Sequence, residues 1–242
     1  MLAMKIDTAD FERKVRALAE MPNLVRKAVV GAVSDTVDDI HTRQALELKQ
    51  SFNNPTAYVT GGLKKRYPGG KMGQGVEKAG TYFSFFPVGK SPEDIVRPHV
   101  FGGSRRQKRN EQRLNQLGLI QAGGFAIMGN EYPRNASGDI PGARYTQMLH
   151  QLGALSDMAR QSMPKSRQKD RKGTSYYVIR RGGVPIAIGE RNGSSTRIML
   201  VFARSTNYKK RFDYFGVGQK QVAYSLPLHL NRIVNRYLSR MA

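Results

Sequence analysis

Two glycine-marked turns, Gly182-Gly183 and Asn192-Gly193, cut residues 176–203 into three short β-rich runs. No other feature constrains the fold as tightly. Tyr176 to Arg181 and Val184 to Ile188 flank the first turn, where glycine accepts the positive φ that a two-residue hairpin demands. Arg191-Asn192-Gly193 supplies the second turn, ahead of Arg197 to Ala203. Pro185 has no N–H to give to a ladder, so its place must face an open edge or a bulge. A three-stranded antiparallel meander is the expected product.

Helical spacing brackets this sheet. Asp7 or Thr8 can cap a short helix carrying Phe11, Val15 and Leu18 on one face. Met21-Pro22 interrupts it, and Pro22 suits the opening of a second helix. Val25, Val29, Val33, Val37 and Ile40 then recur at three- and four-residue steps, which predicts a long helix to about Gln50, stopped by Asn53-Asn54-Pro55. Ser104 to Leu117 and Ala143 to Gln161 also read as helical, and Thr81 to Phe86 as a strand. A last amphipathic helix, about Gln219 to Met241, carries Leu226, Leu230, Ile233, Val234, Tyr237 and Met241 on one stripe.

Between these elements lie long loops. Residues 61–80 contain seven glycines and Pro68, so the expectation there is a flexible loop with no core element. No repeat and no convincing linker divides the chain. The prediction is therefore one α+β domain over residues 1–242: helices within 1–50, the loop at 61–80, and a body at 81–242 with an antiparallel sheet.

Catalytic chemistry needs converging polar groups, and the sequence offers few. There is no cysteine, hence no thiol nucleophile, thiolate metal site or disulfide framework. His41, His99, His150 and His229 form no HExxH pair and no helical pair, and no serine sits in a GxSxG elbow. Gly69-Gly70-Lys71-Met72 mimics the end of a phosphate loop, but Lys65 stands where the first glycine belongs and Met72 replaces the metal-binding hydroxyl. Asp35, Asp38 and Asp39 share one side of the long helix. They suit a divalent ion, a solvated face or a docking patch for a basic neighbour, and hard-cation sites usually draw their oxygens from loops. No enzyme activity, cofactor or metal is expected.

Charge is the informative bulk property. Forty Lys and Arg stand against eighteen Asp and Glu, a net +22. Residues 1–60 hold eight of each sign, so the whole excess belongs to residues 61–242. Self-repulsion on that scale is relieved by a polyanion or an acidic protein. The candidate contact residues are Lys64, Lys65 and Arg66; Arg105, Arg106, Lys108 and Arg109; Lys165, Arg167, Lys169, Arg171 and Lys172; and Lys209, Lys210 and Arg211. Such clusters suit phosphate contact without base readout, yet they equally suit acidic protein. Tyr208, Phe212, Tyr214 and Phe215 interleave with the last group and could stack on unpaired bases, though packing is the commoner use. The first residues lack the apolar core of a signal peptide, and the longest apolar run, about Ile198 to Ala203, is far short of a membrane span. Cytosolic synthesis without a membrane partner is the expectation.

Four segments, taken in order, resemble tailed-phage proteins of the minor tail protein Z or tail-completion kind. Phe52-Asn53-Asn54-Pro55-Thr56-Ala57-Tyr58 is similar to a Phe-(Asp/Asn)-x-Pro-Thr-x-aromatic stretch. His99-Val100-Phe101-Gly102-Gly103-Ser104-Arg105-Arg106-Gln107-Lys108 resembles a Val-x-Gly-Gly-x-Arg-x-x-Lys segment. Gly138-Asp139-Ile140-Pro141-Gly142 leading to Gln147–Leu152 is the third, and Arg211-Phe212-Asp213-Tyr214-Phe215 before a basic terminal helix is the fourth. The resemblance implies a virion component, made in the host cytoplasm and assembled late at the head-proximal end of the tail. Its implied partners are the tail terminator, tube and head connector, further copies of itself in a ring, and genomic DNA in the lumen. A non-sequence-specific DNA-binding or packaging accessory protein is the alternative.

Overall fold

The computed structural model describes residues 22–69, 75–86, 91–136, 138–154 and 173–239. They fold as α+β, in two compact units: residues 1–102 with 209–242, and residues 103–208. The division is discontinuous. Its crossings fall at Gly102-Gly103 and Tyr208-Lys209, where no Pro- or Ser-rich stretch marks a boundary, so the sequence reads as one body.

In the first unit, α1 (Pro22–Ser51) opens on Pro22 as expected. Its valine stripe is the core: Val29, Val33, Val37, Ile40 and Leu48 are buried. Burial of each such side chain contributes about 1.5–3 kcal/mol. The helix stops because Asn54 turns left-handed, at φ 50°, and Pro55 bars any continuation. The short α2 (Ala57–Thr60) follows.

The loop expected at 61–80 is only partly a loop. Strand β1 (Leu63–Arg66) pairs antiparallel with β2 (Gly80–Phe83), in the register Leu63↔Phe83 and Arg66↔Gly80. Leu63 is buried, against the expectation that no core element lies there. Three cations in a row read as solvated chain, and only the partner strand and the core under Leu63 make this stretch β. Strand β2 ends at Phe83, short of the predicted Phe86.

Helix α3 (Pro92–Phe101) is missing from the sequence reading, although Ser91-Pro92-Glu93-Asp94 announces it. The Ser91 hydroxyl accepts the Asp94 N–H at 3.2 Å, and the Asp94 carboxylate accepts the Ser91 N–H at 3.1 Å. Pro98 within the helix disguises the pattern. The last helix, α6 in chain order (Tyr214–Leu238), starts ahead of the predicted Gln219, because the Asp213 carboxylate accepts the Gly216 N–H at 3.0 Å and caps it.

Helices α1 and α6 run antiparallel, their contacts stepping from Gln44–Tyr214 through Asp39–Ser225 to Asp35–Arg232. They pack closely: a β-carbon on Gly31 would lie 3.1 Å from the Ile233 side chain.

The second unit holds α4 (Arg109–Gln116), β3 (Phe125–Met128), α5 (Gly142–Gln151) and the meander β4 (Thr174–Arg181), β5 (Val184–Asn192) and β6 (Ser195–Ala203). The meander is as predicted, with Gly182 at φ 57° and Gly183 at φ 79° in the first turn. The unpredicted β3 joins it, giving an antiparallel sheet in the order β3-β6-β5-β4. The register slips between Ile179 and Arg180, opposite Pro185, a bulge being one of the two arrangements expected for that proline. A second slip separates Ile188 from Gly189.

One sheet face forms the core of this unit, with Leu114, Ile120, Tyr132, Met148, Leu149, Tyr176, Ile188 and Leu200. Helix α4 is shorter than the predicted Ser104–Leu117, and α5 stops at Gln151 with Gly153 left-handed behind it. The expected helix around Phe11–Leu18, residues 155–161 of the predicted helix and the basic run 165–172 lie outside the described residues. No described helix is long and apolar enough to cross a membrane.

Polar groups seal the first core. The Gln44 amide, fully buried, donates to the Tyr214 carbonyl at 2.9 Å and accepts the Thr81 hydroxyl at 2.6 Å. The Tyr214 hydroxyl in turn donates to the Thr81 carbonyl at 2.8 Å. Gln44→Leu removes both of these buried bonds, though the Thr81 hydroxyl keeps the Tyr214 hydroxyl at 3.0 Å, and a lost buried bond is worth about 1–3 kcal/mol. Urea unfolding should show a loss of about 2–3 kcal/mol, whereas the exposed Gln50→Leu should change little.

Candidate partner-binding surfaces

Counted over the two units, 22 basic residues face 12 acidic ones in the first, a net +10, and 18 face 6 in the second, a net +12. Each unit is thus a cation in its own right. Some of the predicted contact residues are engaged by groups of the chain itself, Lys65 and Arg211 while still exposed, and others simply lie at the surface.

Three are engaged in this way. Arg105 places its two terminal nitrogens on the Glu111 carboxylate at 2.7 and 2.5 Å, and its guanidinium lies 4.9 Å from the Phe125 ring centre. Glu111 is fully buried and also accepts the backbone N–H groups of Lys108 at 2.6 Å and Ala126 at 2.9 Å. Burial alone would raise its carboxyl, but Arg105 and the two N–H groups outweigh that and hold it below the usual carboxylate range. Arg105 therefore anchors α4 to β3.

Lys65 reaches Asp38 at 2.6 Å, where the Tyr67 hydroxyl also donates. Arg211 donates from Nε to His99 Nδ1 at 3.0 Å and covers the Phe52 ring at 4.6 Å. A fourth, Arg66, is half-engaged, over the Tyr82 ring at 4.8 Å.

Lys64, Arg106, Arg109, Lys209 and Lys210 lie at the surface, and Lys108 is half-buried. Arg180 and Arg181 on β4 and Arg191 on β5 add to the outward charge. Lys165, Arg167, Lys169, Arg171 and Lys172 are outside the described residues. Of the aromatic residues beside the last basic group, Phe212 and Tyr214 are buried and Phe215 packs against the core, while Tyr208 is half-buried and outside it.

The acidic trio of α1 is a docking patch for basic neighbours within the chain. Asp38 takes Lys65 and Tyr67; Asp39 accepts the Ser225 hydroxyl at 2.7 Å and His229 Nε2 at 2.8 Å; Asp35 takes Arg232 at 2.6 Å. Burial would raise the Asp39 carboxyl, yet its bonds from Ser225 and His229 hold it low. Among the described residues no group of three or more His, Cys, Asp or Glu side chains is placed to hold a metal ion.

Two further clusters were not foreseen. In the second unit the buried Glu190 accepts the Tyr132 hydroxyl at 2.5 Å and Arg144 at 2.9 Å. Burial, then the bond to Glu190, pushes the Tyr132 phenol far above its ordinary value. This group ties α5 to β5.

In the first unit Phe52, His99, Phe101, Arg211, Phe212, Tyr214 and Phe215 converge. The Phe52 and His99 rings meet edge-on at 4.8 Å and Phe52 and Phe212 at 6.2 Å, while Phe101 and Phe215 lie tilted at 5.8 Å. The backbone N–H groups of Arg211 and Phe212 both donate to the His99 carbonyl. Three of the four familiar segments thus supply one cluster, and their Gly102-Gly103 pair, at φ 80° and 85°, turns the chain out of it.

Compared with known proteins, the chain matches no family model, no curated protein and no solved structure.

Two outcomes test this sorting. Glu111→Ala leaves a buried guanidinium unpaired and should cost about 3–5 kcal/mol in denaturant unfolding. The double change Lys209→Ala, Lys210→Ala should leave stability within about 0.5 kcal/mol.

His99 gives a pH test. Burial, then the Arg211 charge, depresses it from 6.5 to about 4. The unfolded chain therefore binds the proton more readily between these values, so stability is full above pH 6.5 and falls as pH drops toward 4. At about 1.4 kcal/mol per tenfold in proton affinity, the loss approaches roughly 3 kcal/mol. Thermal melts between about pH 6.5 and 5, where carboxylates stay charged, should slope downward. His99→Gln should remove most of that slope, leaving the smaller contribution of His41, which burial also depresses.

Proposed function

We propose that this protein is a structural component of a tailed bacteriophage, a tail-completion or neck protein that joins the tail tube or its terminator to the head connector. It acts by shape and charge and transforms no substrate. The observation that carries the reading is the convergence of Phe52, His99, Phe101 and the Arg211–Phe215 segment on one cluster, from stretches separated by about 50 to 110 residues. Scattered segments that resemble one family carry more weight when they prove to be parts of one packing unit.

The charge distribution supports it as well. Both units keep a cationic surface after their internal ion pairs are formed, as suits a chain held among acidic protein rings and close to DNA. The partners in this reading are the tube, terminator and connector proteins, further copies of the chain, and the genome passing through the lumen.

Mass spectrometry of purified particles of the phage that encodes the chain should find it in every virion. Disrupting its gene should yield filled heads and tails that fail to join. Absence from purified virions and tails overturns the reading. Binding to random duplex DNA across a salt series separates it from the DNA-accessory alternative: that alternative demands a log–log slope of about −0.9 per phosphate contacted over many contacts, and a neck protein held by its protein neighbours should show a shallow one.

A further inference from the structure

An antiparallel sheet with one face on a core usually turns a polar face to water. The sheet of the second unit does not. Ile127, Val201, Ala187 and Ile179 are register partners in an unbroken row across β3, β6, β5 and β4. The row lies opposite the face that carries Ala126, Ile188 and Leu200. Beside it, Tyr177 pairs with Gly189 and Gly189 with Ile198, a second apolar row on the same side.

Four of these side chains, Tyr177, Val201, Ile127 and Ile198, are between 40% and 47% exposed. Gly189 keeps the surface flat: a β-carbon there would collide with the Tyr177 ring, which lies across it. The bulge beyond Ile188 brings Ile198 and Val201, three residues apart on β6, to the same face. Contiguous exposed apolar surface of this kind marks an interaction site.

Its surroundings restrict the occupant. Arg181, the partner of Val184, and Arg191, the partner of Thr196, stand on this face at its two ends, and Arg105 covers the Phe125 ring at its β3 margin. No carboxylate occupies any strand position on this side. The acids of β5 and α4, Glu190 and Glu111, are buried and neutralised by Arg144 and Arg105. A second copy would bring the same cationic rim against this one. Nucleic acid would suit the arginines but would leave a row of branched aliphatics against sugar and phosphate.

We propose that this sheet face is a docking surface for an acidic protein, one presenting aliphatic side chains flanked by Asp or Glu. Burying the two rows would supply the attraction, and the terminal arginines would fix the orientation and exclude basic partners. The inference stands on the second unit alone, so an acidic partner outside any virion supports it while sinking the neck reading.

The test places photo-reactive benzoylphenylalanine at Val201 of the full chain, made in cells that also make its natural neighbours. The cross-linked peptide is then sequenced. The expected adduct is a protein segment of net negative charge that carries aliphatic residues. Its yield should fall at least tenfold in a chain also carrying Ile127→Lys and Ile198→Lys. Should that double variant melt early, Ile198→Thr with Tyr177→Ser, which keeps the strand positions uncharged, should give the same loss. Adducts to this chain itself, whether within one molecule or between copies, overturn the proposal. So do adducts to nucleic acid or to a basic or wholly polar segment, and so does the absence of any adduct.

Discussion

The antiparallel contact between α1 and α6 organises the first unit, and it joins the beginning of the described chain to its end. Two kinds of force hold it. The valine stripe of α1 supplies the bulk of the burial, and a ladder of polar groups sets the register: Gln44 on the Tyr214 carbonyl, Asp39 on Ser225 and His229, Asp35 on Arg232. A one-turn slip of either helix would leave a buried amide and a carboxylate unmatched. Apolar stripes alone tolerate such slips, so the polar ladder makes the packing unique. The hairpin β1–β2 and helix α3 then close over the surface these two helices create.

How much of this could be read in advance depended on whether a signal was local. The meander was legible because the Gly182-Gly183 and Asn192-Gly193 turns are chemistry written in adjacent residues, and a bulge was one of the two arrangements that the missing N–H of Pro185 allowed. Helix α1 was legible from its valine spacing. What failed was set by partners far away in sequence. Leu63-Lys64-Lys65-Arg66 becomes a strand only because Gly80–Phe83 lies beside it, and Phe125–Met128 only because β6 does. Helix α3 is a different case: its Ser91–Asp94 capping box was in plain view, and the internal Pro98 hid it.

The candidate contact residues teach a related lesson about charge. A count of cations could not foresee that Arg105, Lys65 and Arg211 would be taken up by Glu111, Asp38 and the His99–Phe52 pair. Arg105 in particular is flanked by Arg106 and Lys108, and nothing local distinguishes it. Composition gives the field around a molecule, whereas geometry decides which side chains are at liberty to meet a partner. The same holds for the acidic trio: Asp38 turns to Lys65 and Tyr67, Asp35 to Arg232 and Asp39 to Ser225, with His229 placed between Asp35 and Asp39.

The second unit is an insertion: the chain leaves the first unit after Gly102, completes residues 103–208, and only then returns. Gly103 and Tyr208 exchange backbone hydrogen bonds, so the inserted unit is tied shut at its own neck. On the ribosome this order has a temporal consequence. Helix α1 emerges long before α6, and at roughly 5–20 residues per second its valine face waits many seconds for its cover. During that interval the valine face of α1 has only β1, β2 and α3 to pack against, while the sheet unit can already close.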